Sequence, residues 1–285
     1  GQEPAPSGRT RERARPQVRQ SLSHQTRVLA TRYATLMSRD RKNLISIAIQ
    51  TVVLGLLTAM IFRGDVFEFP PDAAKSLTAK AAQLIFLMVT ISIWMGSIAS
   101  AREIVKERSV VSRELAVGVQ LNAYIASKLI VLLSLVTIQV FAYFMIVTFI
   151  KPTGTGEMTL LAILILSGWV AVMLGLVVSA WAESEDQATG LIPILLVPQL
   201  LFGGALVTLH EMPSFVGGMA SVIPSRWAYD AAGTAISMGA RMGHVPPSGR
   251  PIASSKGLQE GYGPDFFHLE IFQFMLIVGV FFIVL

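Results

Sequence analysis

Cysteine is absent from the 285 residues, and charge is scarce: Asp, Glu, Lys and Arg together make 14% of the chain, against about a quarter in soluble domains. The missing cysteine excludes disulfides and thiolate metal sites. Inside the long apolar runs there is no Asp, Glu or His. Ion- and proton-driven transporters normally place a carboxylate there, so that mechanism is disfavoured. No GxxxxGK[ST] loop occurs, so the chain by itself has no P-loop site for ATP. A repeat of 20–50 residues is also missing, which counts against an inverted-repeat transporter.

What is present is hydrophobic: 53% of the residues. Five segments are near or beyond the ~18 apolar residues that cross a bilayer, at 44–62, 81–101, 123–150, 158–181 and 188–209. A sixth runs from Ile271 to Leu285 and is short for a span, so a last span cut short is expected. The predicted fold is all-α and integral to the membrane, with six transmembrane helices over 44–285.

Lys and Arg are distributed unevenly. Residues 1–43 carry ten, the 102–122 connection four, 63–80 three, 151–157 one and 182–187 none. The positive-inside tendency puts the N-terminus and 102–122 in the cytoplasm of a cell-membrane protein, and the 210–270 loop outside. The net charge of +5 comes mainly from the N-terminal tail. With no aromatic before Tyr33, attraction to anionic lipid explains that tail more simply than nucleic acid does. Residues 1–21 are Pro, Gly, Ser, Gln and Arg with little apolar content, read as a disordered linker from an upstream domain. Over 22–43, Leu29, Tyr33 and Leu36 recur at helical spacing beside arginines, which predicts an amphipathic helix at the cytoplasmic interface.

The spans carry only mild polar groups, Gln50, Gln83, Ser92, Thr137, Gln139 and Gln199, each most simply a helix–helix hydrogen bond. Lys128, one turn into the third span, is expected to snorkel to the interface. The fifth span holds Pro193, Pro198 and Gly203-Gly204, devices for a bent helix and a close approach. His210-Glu211 lacks the second His of HExxH. Glu183, Glu185 and Asp186 have donor chemistry for a divalent cation but are more simply a solvated turn capping the fifth span. No catalytic constellation emerges, and no metal or cofactor site is expected in this chain.

The most ordered charge pattern is REIVKERSVVSREL, in which Arg102 to Glu114 hold seven charges between two apolar runs. As one helix, Ile104, Val111 and Leu115 form an apolar stripe, and the charges do not all pair along it, leaving some for another surface. Gly118 then breaks the helix.

These residues resemble the connection after the second span in ABC exporters of the G subfamily: Glu, six residues, Glu, a Gly-containing turn, then an aromatic shortly before Lys. Glu107, Glu114, Gly118, Tyr124 and Lys128 match, with a one-residue difference in the turn. TRYATLMSRDRKN resembles the family's interfacial helix, FGGALV the end of its fifth span, and VIPSRWAYDAA its outer segment before span six. The likeness covers roughly residues 25–285.

The resemblance implies half of a dimeric, ATP-driven exporter, paired with a second copy or a related half-transporter. ATP and Mg would sit on an ABC-type nucleotide-binding domain upstream on the same polypeptide. Some actinobacterial relatives place forkhead-associated domains ahead of that ATPase, and the basic linker is compatible with such an origin. Residues 102–122 would be the cytoplasmic coupling hairpin, with Glu107, Arg108, Arg113 and Glu114 contacting the ATPase. The substrate cavity would take Ile91, Ser92, Met95, Val197 and Leu201. Ala205 and Leu206 would form the outer gate, Ala205 departing from the bulky pair usual there. The apolar lining implies a lipid or other amphipathic cargo. The alternatives are an ATP-independent permease or channel, and a membrane-embedded lipid-modifying enzyme.

Overall fold

Asp40 alone separates the first two helices. The computed structural model describes residues 21–62, 66, 75–154, 156–205, 213–236, 267 and 269–284. Helix α1 (Leu22–Arg39) ends where the Asp40 N–H donates to the Leu36 and Met37 carbonyls. Helix α2 (Arg41–Ile61) starts where the Asp40 carboxylate accepts from the Asn43 N–H at 3.1 Å. One residue thus satisfies orphan groups of both helix ends and sets a sharp corner. Then follow α3 (Lys75–Ser100), a 3-10 turn (Val105–Glu107), α4 (Arg108–Ala116), α5 (Leu121–Ile150) and α6 (Glu157–Trp181). Helices α7 (Glu185–Phe202), α8 (Ser214–Ala220), α9 (Pro224–Ala235) and α10 (Ile271–Val284) complete the order. No strand occurs among the described residues.

Four of these helical segments are long and apolar enough to cross a membrane: α2, the run from Lys80 that contains α3, α5 and α6. The protein is therefore a multi-pass membrane protein. The predicted fifth and sixth spans appear as shorter helices. Helix α7 starts with Glu185-Asp186 and ends at Gly203-Gly204, with Gly204 at φ 95°, so it stops before residue 209; α10 is 14 residues long. Both prolines lie inside α7, which continues through them.

Helices α3 and α6 form the centre and α2 the flank. The apolar window of α3 is 78% buried, that of α2 only 22%. With Ile45, Ile49, Val52, Leu57 and Met60 exposed, α2 offers the apolar surface that lipid tails accept. The α3–α6 contact is close because both helices lack side chains at the crossing. A Cβ at Gly96 would overlap the Gly168 carbonyl oxygen and stand 2.9 Å from the Ala171 Cβ. Without a hydrophobic force between helices in lipid, such small-residue contacts supply the packing.

On the far side of the bundle, α9 turns its buried face inward. Tyr229 is fully buried and packs edge-on between Phe86 of α3 and Phe267, with both centroid separations 5.3 Å. Ser225 ties α9 to the end of α7. Its hydroxyl donates to the Gln199 carbonyl at 2.7 Å, and its N–H donates to Gln199 Oε1 at 3.0 Å. That carbonyl belongs to the last turn of α7, where helical partners run out. Trp169 Nε1 donates to Thr137 at 2.9 Å, another helix–helix bond of the predicted kind.

Two local expectations change. Residues 102–117 are not one helix: α3 ends at Ser100, and the 3-10 turn precedes α4. No residue of α4 is buried, so the stripe through Val111 and Leu115 faces no core. In α1 the inward face runs through Tyr33 and Met37 toward the core, while Leu36 is exposed. Residues 1–20, most of 210–270 with His210-Glu211, and the gate residue Leu206 lie outside the described residues.

Candidate functional site: the clamped charged connection

The connection between α3 and α5 is held on two sides by residues far away in sequence. On the α6 side, the Ile104 and Val105 N–H groups both donate to Ser179 Oγ, at 2.9 and 3.1 Å. Arg108 Nη2 donates to the Ala180 carbonyl at 2.7 Å. Ala180 lies in the last turn of α6, where a cation satisfies an orphan carbonyl and complements the helix dipole.

On the α1–α5 side an ion cluster closes the connection. Lys128 does not snorkel outward. Its side chain is 3% exposed, and Nζ lies 2.7 Å from Glu107 Oε2 and 3.6 Å from Glu103 Oε2. The Lys128–Glu107 contact is one of charge, since Nζ has no aligned hydrogen-bond acceptor. Nζ also stands 3.6 Å from the centre of the Tyr33 ring, a desolvated cation–π contact. Glu103 accepts a very short hydrogen bond from the Tyr33 hydroxyl and pairs with Lys106. Burial, and then the Glu103 charge, hold the Tyr33 hydroxyl far above its usual ionisation range, so it stays a donor. Two carboxylates face two ammonium groups, and the cluster is neutral as a whole, which is how a near-buried set of charges is tolerated.

At the rim, Arg32 Nη1 of α1 meets Glu114 Oε1 at 2.5 Å, and Gln25 Oε1 accepts from the Gln120 N–H at 3.0 Å. Helix α4 then ends in a Schellman turn. The Val119 N–H reaches the Glu114 carbonyl, the Gly118 N–H reaches that of Leu115, both at 3.1 Å, and Gly118 has φ 101°. The predicted break at Gly118 is present, and its physical reason is that left-handed residue.

Of the four predicted coupling residues, three are engaged inside the chain: Glu107 with Lys128, Arg108 with α6 and Glu114 with Arg32. The charges that do not pair along the helix are thus met largely by α1, α5 and α6, and Arg113 is left toward another surface. Arg113 is exposed and bonds only to its own helix, at Ser109, whereas the other three reach α1, α5 or α6. The outward tip is apolar instead, with Val117 75% exposed. The cavity residues separate. Ile91, Ser92 and Met95 are buried in the bundle, Ser92 donating to the Met88 carbonyl of its own helix. Val197 and Leu201 face outward from α7, about half exposed, and Ala205 packs against the core. The sequence reading missed Glu103, Lys106 and Tyr33. The signal was Lys128, a lone cation in an apolar run with acids just upstream in the chain. The Glu183–Asp186 run forms the cap of α7: Ser184 accepts from the Gln187 N–H, and Gln187 Oε1 accepts from the Glu183 N–H.

A helical membrane domain whose charged connection is bolted to its helices matches the sequence profile of the ABC-2 type transporter over residues 24–235. The chain belongs to the ABC-2 type transporter family. It is also 27% identical over 231 residues to an ABC transporter ATP-binding/permease protein of Mycobacterium tuberculosis, 76% of this chain and 26% of that protein. The chain thus spans about a quarter of that relative's length. Within this family the helices described above form a transport permease.

Proposed function

We propose that the chain is the six-span membrane half of an ATP-driven ABC exporter of the G-subfamily type. It works as a dimer and moves a lipid or other amphipathic molecule outward across the cell membrane. A nucleotide-binding domain on the same polypeptide docks on α4; the mycobacterial relative, an ATP-binding/permease protein by name, supports that pairing. ATP and Mg are held there and not in this chain.

One observation carries the reading: the connection is rigid toward the spans and open away from them. Glu107, Glu114 and Arg108 tie it to α5, α1 and α6, while Arg113 and Val117 stay exposed. A push on the exposed side is therefore delivered to three helices at once, because packed elements pass displacement on instead of absorbing it. The exposed Val197 and Leu201 on α7 suit the second protomer across a central cavity.

The test uses a Val117→Cys label, since this chain has no cysteine of its own. In the complete transporter, with any cysteines elsewhere replaced, a spin label at 117 should lose mobility when ATP and vanadate close the ATPase domains. A spectrum identical with and without nucleotide would refute docking at α4.

A further inference from the structure

A cavity of about 390 Å³ opens between the start of α2, the end of α3 and the middle of α5. Its α2 wall carries Asn43, Ser46 and Gln50, residues spaced three and four apart and so on one face of a mostly apolar helix. From Asn43 to Gln50 the helix rises seven steps, about 10 Å along the axis. At its mouth stand Lys42 and Arg102, both exposed, and neither side chain has an ion-pair or hydrogen-bond partner among the described residues. Farther in, Gln139 is 5% exposed, yet its Oε1 has no hydrogen-bond partner. Buried polar atoms are nearly always satisfied, and this one lines a polar hollow between apolar helices. Glu185, at the start of α7, adds a carboxylate that pairs with none of the described residues.

We infer that this cavity binds the zwitterionic headgroup of a phospholipid, a phosphate bearing a primary ammonium. Lys42 and Arg102 take the phosphate, while Asp40, which also lines the cavity, keeps its carboxylate on the α2 N-terminus. The ammonium group, a pure donor, meets the two acceptors left open, Gln139 Oε1 and the Glu185 carboxylate. The acyl chains lie along the exposed apolar face of α2 at Ile45 and Ile49. The opposite wall includes Glu103 and Lys106 of the ion cluster, so a bound headgroup touches the residues that clamp the connection. The site stands on the membrane placement of α2, α3 and α5 and not on ATP coupling.

Native mass spectrometry of the complete transporter in nanodiscs tests it. Phosphatidylethanolamine should be retained at least about tenfold better by the wild type than by a Lys42→Ala/Arg102→Ala variant, because charge-assisted hydrogen bonds to phosphate are lost. Gln139→Leu should weaken retention of phosphatidylethanolamine more than that of phosphatidylglycerol, which lacks the amine. Soluble phosphorylethanolamine identifies the source: failure to displace the lipid supports a membrane ligand, and displacement at equal concentration overturns it. Equal retention by wild type and double variant, or no preference between the two lipids, overturns the site and leaves docking at α4 untouched. A Val117 label whose spectrum is the same with and without nucleotide, together with retained lipid, would do the reverse.

Discussion

Replacing Lys128 by Met removes the one cation that both Glu103 and Glu107 face inside the cluster. The side chains have similar length, so the cost is electrostatic more than steric. Lost are an ion pair at 2.7 Å, a second carboxylate at 3.6 Å and the contact with the Tyr33 ring. Lys106 remains, 35% exposed, and it faces Glu103 only. Removing one partner of a buried pair costs about 3–5 kcal/mol, because it strands the other charge. The 20% exposure of Glu107 places the expected loss near the lower end of that range. For a chain of this size that is roughly 6–10 °C in the melting temperature, read by tryptophan fluorescence in detergent. Lys128→Met/Glu107→Gln should recover part of the loss, since the stranded carboxylate is gone; a double-mutant cycle then reports a coupling of about 1–3 kcal/mol. A Lys128→Met protein as stable as the wild type, or a strictly additive cycle, would refute the role assigned to the cluster.

Gly96→Val should lower the yield of monodisperse protein and cost several kcal/mol on the order of an overpacked core, because its side chain would enter the Gly168 backbone; normal size-exclusion behaviour would contradict the α3–α6 crossing. Gly118→Ala should cost about 1–2 kcal/mol through the left-handed φ at that position. In the complete transporter it should also slow the nucleotide-driven change in label mobility at Val117.

The periodicity and length of the apolar runs were enough to place α2, α3, α5 and α6 within a few residues, because the bilayer demands a long uncharged helix whatever it packs against. Gly118 was legible for a similar local reason: an amphipathic segment followed by glycine ends in a left-handed cap. Gln199 and Thr137 were also readable as helix-to-helix bonds, although their partners Ser225 and Trp169 were not.

What the chain's order of residues could not reveal was which charge meets which. Glu107 pairs with a lysine 21 positions on, and Glu114 with an arginine 82 positions back. Helical spacing describes neighbours three or four residues away, so it found these charges unpaired. The apolar residues expected to line one cavity likewise divided between a buried helix face and an exposed one. Hydropathy by itself determined that this protein spans the membrane as helices, since lipid admits few other solutions. Only the tertiary structure decided that Lys128 turns inward and that the connection is bolted to three helices, because those contacts join segments the chain brings together only on folding.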